Sequence, residues 1–388
     1  MSFAQRLRRF RFDRPQRIAA VLLFLLFAQC YWVVRHQTLT ERDYQYARCG
    51  REMWEKPSPL AGYFTTCGNI HDGTLAYRAA GLPLTIERIL AGVSPQSSPW
   101  ELRYQLSYVL LLMRLPFIVC GLCLGGALWW VTRRLFGNEG GFVALALYCF
   151  SPEMVRACTY PNAEILAAFG LFAAVYTAIG VAHAMQGPRK KWRPRIFLLI
   201  AAFGFTAAAH VSAALLAFVF AMGFMIYLAE RRRAHLIPII LYSGIGTLLL
   251  LFASYAFRPD AFSYVFRSAA ARIWFSLEPA KIFFSSLPNA GITLAAGVAL
   301  LLFAAVKRSR YFGNLAALLV AVPLLLVVTT GVPAQPWLWA LPFLLTFIGG
   351  VFADALETPQ RRVFLVATGA ILVMQAALSV AALPMLAE

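Results

Sequence analysis

Long apolar runs, each closed by a short basic cluster, constrain this chain more than any other feature. The runs are about 17 to 34 residues long, which at the helical rise matches the ~30 Å hydrocarbon core of a bilayer. In lipid, helices satisfy their own backbone hydrogen bonds segment by segment. A soluble chain would need a charged shell and would carry about 25% charged residues. This chain of 388 residues is 13% charged and 60% hydrophobic. The sequence therefore reads as an all-α polytopic membrane protein forming a single integral membrane domain over 1–388. About eleven spans are expected, over residues 18–35, 108–131, 139–151, 162–185, 196–208, 211–229, 236–257, 289–306, 314–332, 336–353 and 363–384. The run 139–151 is too short to cross upright. The stretch 196–229 is read as a hairpin turning near His210, because a single helix would place Arg193 and Arg231 on opposite faces of the membrane.

The basic clusters fix an orientation. With the basic tail 1–17 in the cytoplasm, the inner connections carry Arg133 and Arg134, then Arg189, Lys190, Lys191, Arg193 and Arg195. They continue with Arg231 to Arg233, then Lys307, Arg308 and Arg310, and end with Arg361 and Arg362. Every cluster falls on one side, as the positive-inside rule requires. The net charge of +18 is thus explained by topology and anionic headgroups, and a nucleic-acid partner is excluded by its distribution. The run Ile18–Val34 follows six arginines like a signal peptide, but the many later spans make it an uncleaved signal-anchor.

Two polar segments lie on the opposite, outer side. Residues 36–104 hold seven acidic residues and a similar number of basic ones, with Trp54, Tyr63, Phe64 and Trp100. Such a mixed-charge, aromatic segment should fold, as amphipathic helices on the membrane surface. The second outer loop, 258–288, contains Arg258, Arg267 and Arg272, whose guanidinium forks suit a phosphate as well as they suit interfacial anchoring. Of the seven cysteines, Cys49 and Cys67 share the first outer loop, where an oxidising compartment permits a bridge. Cys120 and Cys123 form a C-x-x-C inside an apolar helix, where packing is the expected role. Arg114, early in the second span, is costly in lipid and calls for an acidic partner; Asp43 and Glu41 are placed to supply it. His210 lies within an apolar run, so it is either functional or snorkelling at a turn.

Residues 114–164 carry a family pattern. Arg114-Leu115-Pro116-Phe117 is followed by a Gly-rich span and by Arg133-Arg134-Leu135-Phe136-Gly137. An Ala-rich short helix then ends in Phe150-Ser151-Pro152, and Tyr160-Pro161-Asn162-Ala163-Glu164 follows. The combination resembles the bacterial branch of the dolichyl-phosphate-mannose–protein mannosyltransferase and aminoarabinose transferase superfamily, membrane glycosyltransferases of the GT-C type. The resemblance implies a GT-C-like fold in a bacterial inner membrane. It implies transfer of a sugar from a polyprenyl-phosphate-linked donor to a lipid, glycan or protein acceptor on the periplasmic face.

The resemblance also implies site residues. The family's acid after the first span is usually an adjacent Asp-Glu; here it falls on Glu41-Arg42-Asp43, so Asp43 or Glu41 would be the base, and Arg42 would favour its charged form. The second acidic position falls on Asn162, with Glu164 two residues later. A Thr-Lys pair near the end of the fifth span is replaced by Ala209-His210. His71 and Asp72 would supply a second acidic position or contact the acceptor, and Arg258, Arg267, Arg272 and His210 would hold the donor phosphate. Glu164 also fits an ordinary helix N-terminal acid. No motif demands a cofactor, although a divalent metal is compatible with the chemistry. Because the changed positions all fall on the chemistry, a non-catalytic GT-C-like subunit of a membrane complex is the alternative. A lipid or solute transporter comes third, since no inverted repeats with broken helices are seen.

Overall fold

The computed structural model describes residues 13–55, 73–92, 106–187, 189–229, 235–255, 257, 259, 273–329 and 337–387. In chain order the helices are α1 (Arg14–His36), α2 (Glu41–Glu55), α3 (Leu75–Leu90), α4 (Leu106–Cys149), α5 (Pro152–Thr159), α6 (Ala163–Ala184), α7 (Arg189–Ala209), α8 (Val211–Leu228) and α9 (Leu236–Ser254). They continue with α10 (Glu278–Ser285), α11 (Ala290–Ala305), α12 (Phe312–Leu326), α13 (Trp337–Leu356) and α14 (Arg361–Ala387). Eight helical segments among the described residues are long and apolar enough to cross a membrane. The chain is a multi-pass membrane protein, although eight such segments fall short of the eleven spans expected. Part of the gap is α4, which runs through two of the expected spans and bends at Gly137, where φ is 85°. That is a left-handed conformation open to glycine. The Tyr148 hydroxyl donates to the Gly121 carbonyl at 2.7 Å. A straight helix would hold these residues roughly 40 Å apart, so the chain doubles back at Gly137.

The core is built around α13. Almost all of its residues are buried, Trp339 and Phe343 completely. It packs on α4, α6, α11 and α12. Gly140 of α4 and Gly349 of α13 face each other so closely that a Cβ on Gly349 would lie 2.5 Å from the Gly140 carbonyl oxygen. Close backbone approach through small residues is how helices associate where lipid removes the hydrophobic drive. The expected hairpin is present: α7 and α8 are separated at His210, and Phe203 and Phe218 face each other across it at 5.7 Å.

Where helices break inside the bundle, buried glutamines satisfy the freed backbone groups. Gln375 of α14 donates to Phe150 O (2.8 Å) and Pro288 O (3.0 Å) and accepts from Ile292 N (3.1 Å). Gln29 of α1 donates to Cys149 O at 3.1 Å and accepts from the Ser379 hydroxyl at 3.1 Å. Together they hold α1 and α14 to the junction of α4 and α5.

One feature departs from the all-helical expectation. The span expected to run to residue 332 stops at Leu326, and Val327–Thr329 forms a strand, β2. It pairs antiparallel with β1, Ile273–Phe275, in the register Trp274 to Val328.

Within 36–104 the described residues include α2 and α3. In α2 and α3, Tyr46 and Tyr77 stack at 4.2 Å and Trp54 donates to Arg78 O at 2.9 Å. Glu55 sits at the centre of an ion cluster. It takes Arg51 at 2.9 Å, Arg88 at 3.0 Å and the Thr85 hydroxyl at 3.1 Å. Burial raises the Glu55 pKa, but the hydrogen bond and charge of Arg51, then Thr85 and Arg88, outweigh it and leave the carboxyl below its ordinary value of 4.5. A lowered carboxyl stabilises the folded state above the unfolded pKa, and that contribution is lost as pH falls through the folded pKa. Trp54 fluorescence of the purified protein should therefore hold steady from neutral pH down to about 4.5 and change only below it. A transition centred at or above that value, or one unaltered in Glu55→Gln, contradicts this assignment.

Candidate functional site

The site lies at the end of the bundle away from the basic connections, and its foundation is one buried ion pair. Arg114 is completely buried, as is Asp43. Arg114 Nη2 donates to Asp43 Oδ2 at 2.7 Å. Its Nη1 donates to the side-chain oxygen of Gln37, and its guanidinium lies 5.1 Å from the centre of the Tyr160 ring. Gln37 in turn donates to Leu386 O at 2.7 Å. The charge that the sequence marks as costly in lipid is thus neutralised by one of its two expected partners. The other, Glu41, is exposed on the first turn of α2.

Asp43 is positioned locally as well. Thr40 and Asp43 form a reciprocal capping box at the start of α2. Asp43 N donates to Thr40 Oγ1 at 3.2 Å, and Thr40 N donates to Asp43 Oδ2 at 3.1 Å. The Thr40 hydroxyl donates to the same oxygen at 2.7 Å. Oδ1 has no hydrogen-bond partner. Contrary to the expectation from its neighbouring position, Arg42 forms no ion pair with Asp43; its guanidinium lies 5.8 Å from the Tyr46 ring centre.

Beside this pair opens a cavity of about 330 Å³, lined by Thr40, Arg42, Arg156, Ala157, Tyr160, Asn162, Glu164 and Leu338. Of the sequence candidates it brings together Arg42, Asn162 and Glu164. Thr40 and Tyr160 in its wall both touch the Asp43–Arg114 pair. Glu164 is buried in the first turn of α6, where the helix N-terminus favours a carboxylate. The Asn162 side chain caps that helix, accepting from Ile165 N at 3.0 Å and donating to Ala157 O and Tyr160 O. Its amide is therefore committed to shaping the loop. Arg156, on α5, was not among the sequence candidates. It lies in the connection between two apolar runs and is exposed, so nothing in the sequence sets it apart from an ordinary loop arginine.

His210 is not in the cavity wall. It is buried at the α7–α8 turn, edge-on to Trp339 at 4.8 Å, next to the wall residue Leu338. The returning end of loop 36–104 docks here: Gly73 N donates to Ala209 O at 3.1 Å, and a Cβ on Gly73 would overlap the Ala208 carbonyl oxygen. Thr74 and Arg78 then bind Ser254 O at 2.9 and 3.1 Å, which ties the loop to the end of α9. His71, Asp72, Arg258, Arg267, Arg272 and Cys67 lie outside the described residues. Cys49 is disulfide-bonded, while Cys30, Cys120, Cys123, Cys149 and Cys158 are free.

Chemically, the described lining sets one carboxylate beside two guanidinium groups. That set suits a phosphate next to a proton-accepting group, and suits it better than a divalent cation. Among the described residues no group of three or more His, Cys, Asp or Glu side chains could hold a metal ion.

The family described as Dolichyl-phosphate-mannose-protein mannosyltransferase matches residues 106–257, less than half of the chain. No curated protein sequence matches it. In three dimensions it is similar to ArnT from Cupriavidus metallidurans bound to undecaprenyl phosphate, with a TM-score of 0.62, 15% identity, and coverage of 91% of this chain and 62% of that one. The apo state of the same ArnT gives 0.60 at 14% identity, covering 95% and 73%. The Archaeoglobus fulgidus oligosaccharyltransferase, in complex with zinc and sulfate, gives 0.56 at 13% identity, covering 92% and 52%. This chain thus spans about three fifths of the ligand-bound ArnT and half of the oligosaccharyltransferase. These likenesses establish the fold: it is that of the GT-C glycosyltransferases.

Replacing Arg114 by Leu would leave the Asp43 carboxylate buried without its cation, at a cost of about 3–5 kcal/mol. Thermal unfolding in detergent should show a large loss for Arg114→Leu and a smaller loss for the double variant with Asp43→Asn. Losses that simply add would contradict a direct, buried pair.

Proposed function

We propose that this GT-C-fold chain, matched over 106–257 by the mannosyltransferase family, is a glycosyltransferase that takes a sugar from a polyprenyl-phosphate carrier. The reaction takes place on the periplasmic face of a bacterial inner membrane, with the N-terminus in the cytoplasm. The observation that carries this reading is the placement of Glu164, Arg42 and Arg156 on one cavity at the end of the bundle opposite the basic connections. Arg42 and Arg156 hold the donor phosphate through charge-assisted hydrogen bonds. Glu164 accepts the proton of the acceptor hydroxyl or amine as that atom attacks the anomeric carbon. The bond from anomeric carbon to phosphate oxygen breaks, and the polyprenyl phosphate leaves with the bonding electrons. The carrier arrives activated, so no nucleotide is needed at the site. Asp43 acts through Arg114 and Tyr160, holding the cavity wall. His71 and Asp72 are assigned to the acceptor, and Arg258, Arg267 and Arg272 to the phosphate, from the sequence alone. Cys49 is assigned to pair with Cys67.

A second reading makes Asp43 the base. It is favoured by Oδ1, a buried carboxylate oxygen with no hydrogen-bond partner, since such an atom is costly unless something satisfies it.

The test is transfer by the purified protein in vesicles from a panel of radiolabelled polyprenyl-phosphate sugars. Wild type should release label from the lipid. Glu164→Gln should slow release by roughly 10²–10⁴-fold, the usual worth of a general base, while still binding donor. Arg156→Ala should weaken donor binding. If Glu164→Gln stays active and a folded Asp43→Asn does not, the base is Asp43. If the wild type neither binds nor turns over any donor, the enzyme reading fails and a GT-C-like subunit of a membrane complex takes its place.

A further inference from the structure

A second cavity lies at the other end of the bundle and has no part in the proposed chemistry. It measures about 480 Å³, inside the range of about 300–1,000 Å³ typical of ligand sites. It is formed between α4, α6 and α7, and its body is apolar and aromatic, with Trp130, Phe172 and Tyr176 among the walls. Its polar edge is basic: Arg134, His183 and Arg195 line it. These come from the last turns before the Gly137 bend, the last turn of α6 and the first turns of α7, so all three sit at the level of the basic connections.

The two guanidinium groups are held in place without being neutralised. Arg134 lies 5.4 Å from the ring centre of Trp130. Arg195 Nη1 donates to the Gly180 carbonyl at 2.6 Å, which fixes the guanidinium and leaves its other donors available. Among the described residues no carboxylate pairs with Arg134, His183 or Arg195. An apolar, aromatic slot edged by two fixed guanidinium groups and His183 is complementary to a molecule with an apolar tail and an anionic head. At the headgroup level of a membrane, that molecule is a phospholipid with a phosphate-centred negative charge.

We infer that this cavity binds an anionic phospholipid of the leaflet facing the basic connections. An acyl chain runs between α4, α6 and α7, and the phosphate sits against Arg134 and Arg195. The site is separate from the cavity of Glu164, and its occupancy does not depend on the proposed transferase activity.

The test is native mass spectrometry of the full-length protein titrated with phosphatidylglycerol or with phosphatidylcholine of matched chains. Wild type should retain phosphatidylglycerol preferentially. Arg134→Gln combined with Arg195→Gln should reduce that preference on the order of tenfold, given about 1 kcal/mol per basic residue near the surface. Ala173→Phe, which fills the slot and keeps every charge, should reduce binding of both lipids. Should the double variant fail to fold, Arg134→Gln alone should show a smaller reduction in the same direction. Equal retention of the two lipids by the wild type overturns the inference, as does a preference that survives both the charge-removing and the slot-filling variants.

Discussion

A single buried charge organises the half of this protein away from the basic connections. Arg114 sits in a membrane helix, and an unpaired guanidinium there would cost several kcal/mol. Asp43, from the far side of the α1–α2 turn, neutralises it, while Gln37 at the end of α1 and Tyr160 at the end of α5 hold the guanidinium by a hydrogen bond and a ring contact. The pair therefore draws together the ends of α1 and α5 and the beginning of α4. Because Asp43 is also half of a capping box, the start of α2 is fixed to the bundle by the same carboxylate that satisfies the arginine. The cavity of Arg42, Arg156 and Glu164 is the space left beside that junction.

The same logic runs through the interior. Lipid offers no hydrogen bonds, so each break in a helix must be answered by a side chain. Gln29 and Gln375 answer the break between α4 and α5. Asn314 does the equivalent at the basic end, donating to Ser309 O and Asp354 Oδ2, each at 3.0 Å. Helix breaks in turn permit polar α5 to enter the bundle among α1, α4 and α6, and α5 is what delivers Arg156 and Tyr160 to the site.

Much of this was legible in the chain. Apolar run length located the helices, and basic clusters predicted the turn at His210, since only a hairpin keeps Arg193 and Arg231 together. The need of Arg114 for an acid narrowed its partner to two residues. What could not be read was whatever depends on long-range contact. Pairing of Ile273–Phe275 with Val327–Thr329 joins segments about fifty residues apart, with α10, α11 and α12 between them, so no local pattern announces it. The separation of roles among the carboxylates was hidden for the same reason. Glu41, Asp43 and Glu164 look alike as sequence, and only packing makes the first exposed, the second buried in an ion pair and the third part of a cavity wall. The capping box at Thr40 and Asp43 is local to the start of α2 and says nothing of Arg114.

The central claim is that the carrier lipid's phosphate lies in the cavity between Arg42, Arg156 and Glu164. The most direct measurement is photo-crosslinking of the membrane-embedded protein with a polyprenyl phosphate that carries a diazirine next to the phosphate, followed by peptide mapping. The account predicts labels on the segments Thr40–Asp43, Arg156–Glu164 and Leu338–Trp339, competed away by unlabelled polyprenyl phosphate. Labels confined to the basic end of the bundle, or spread without competition over the lipid-facing surfaces, would contradict it.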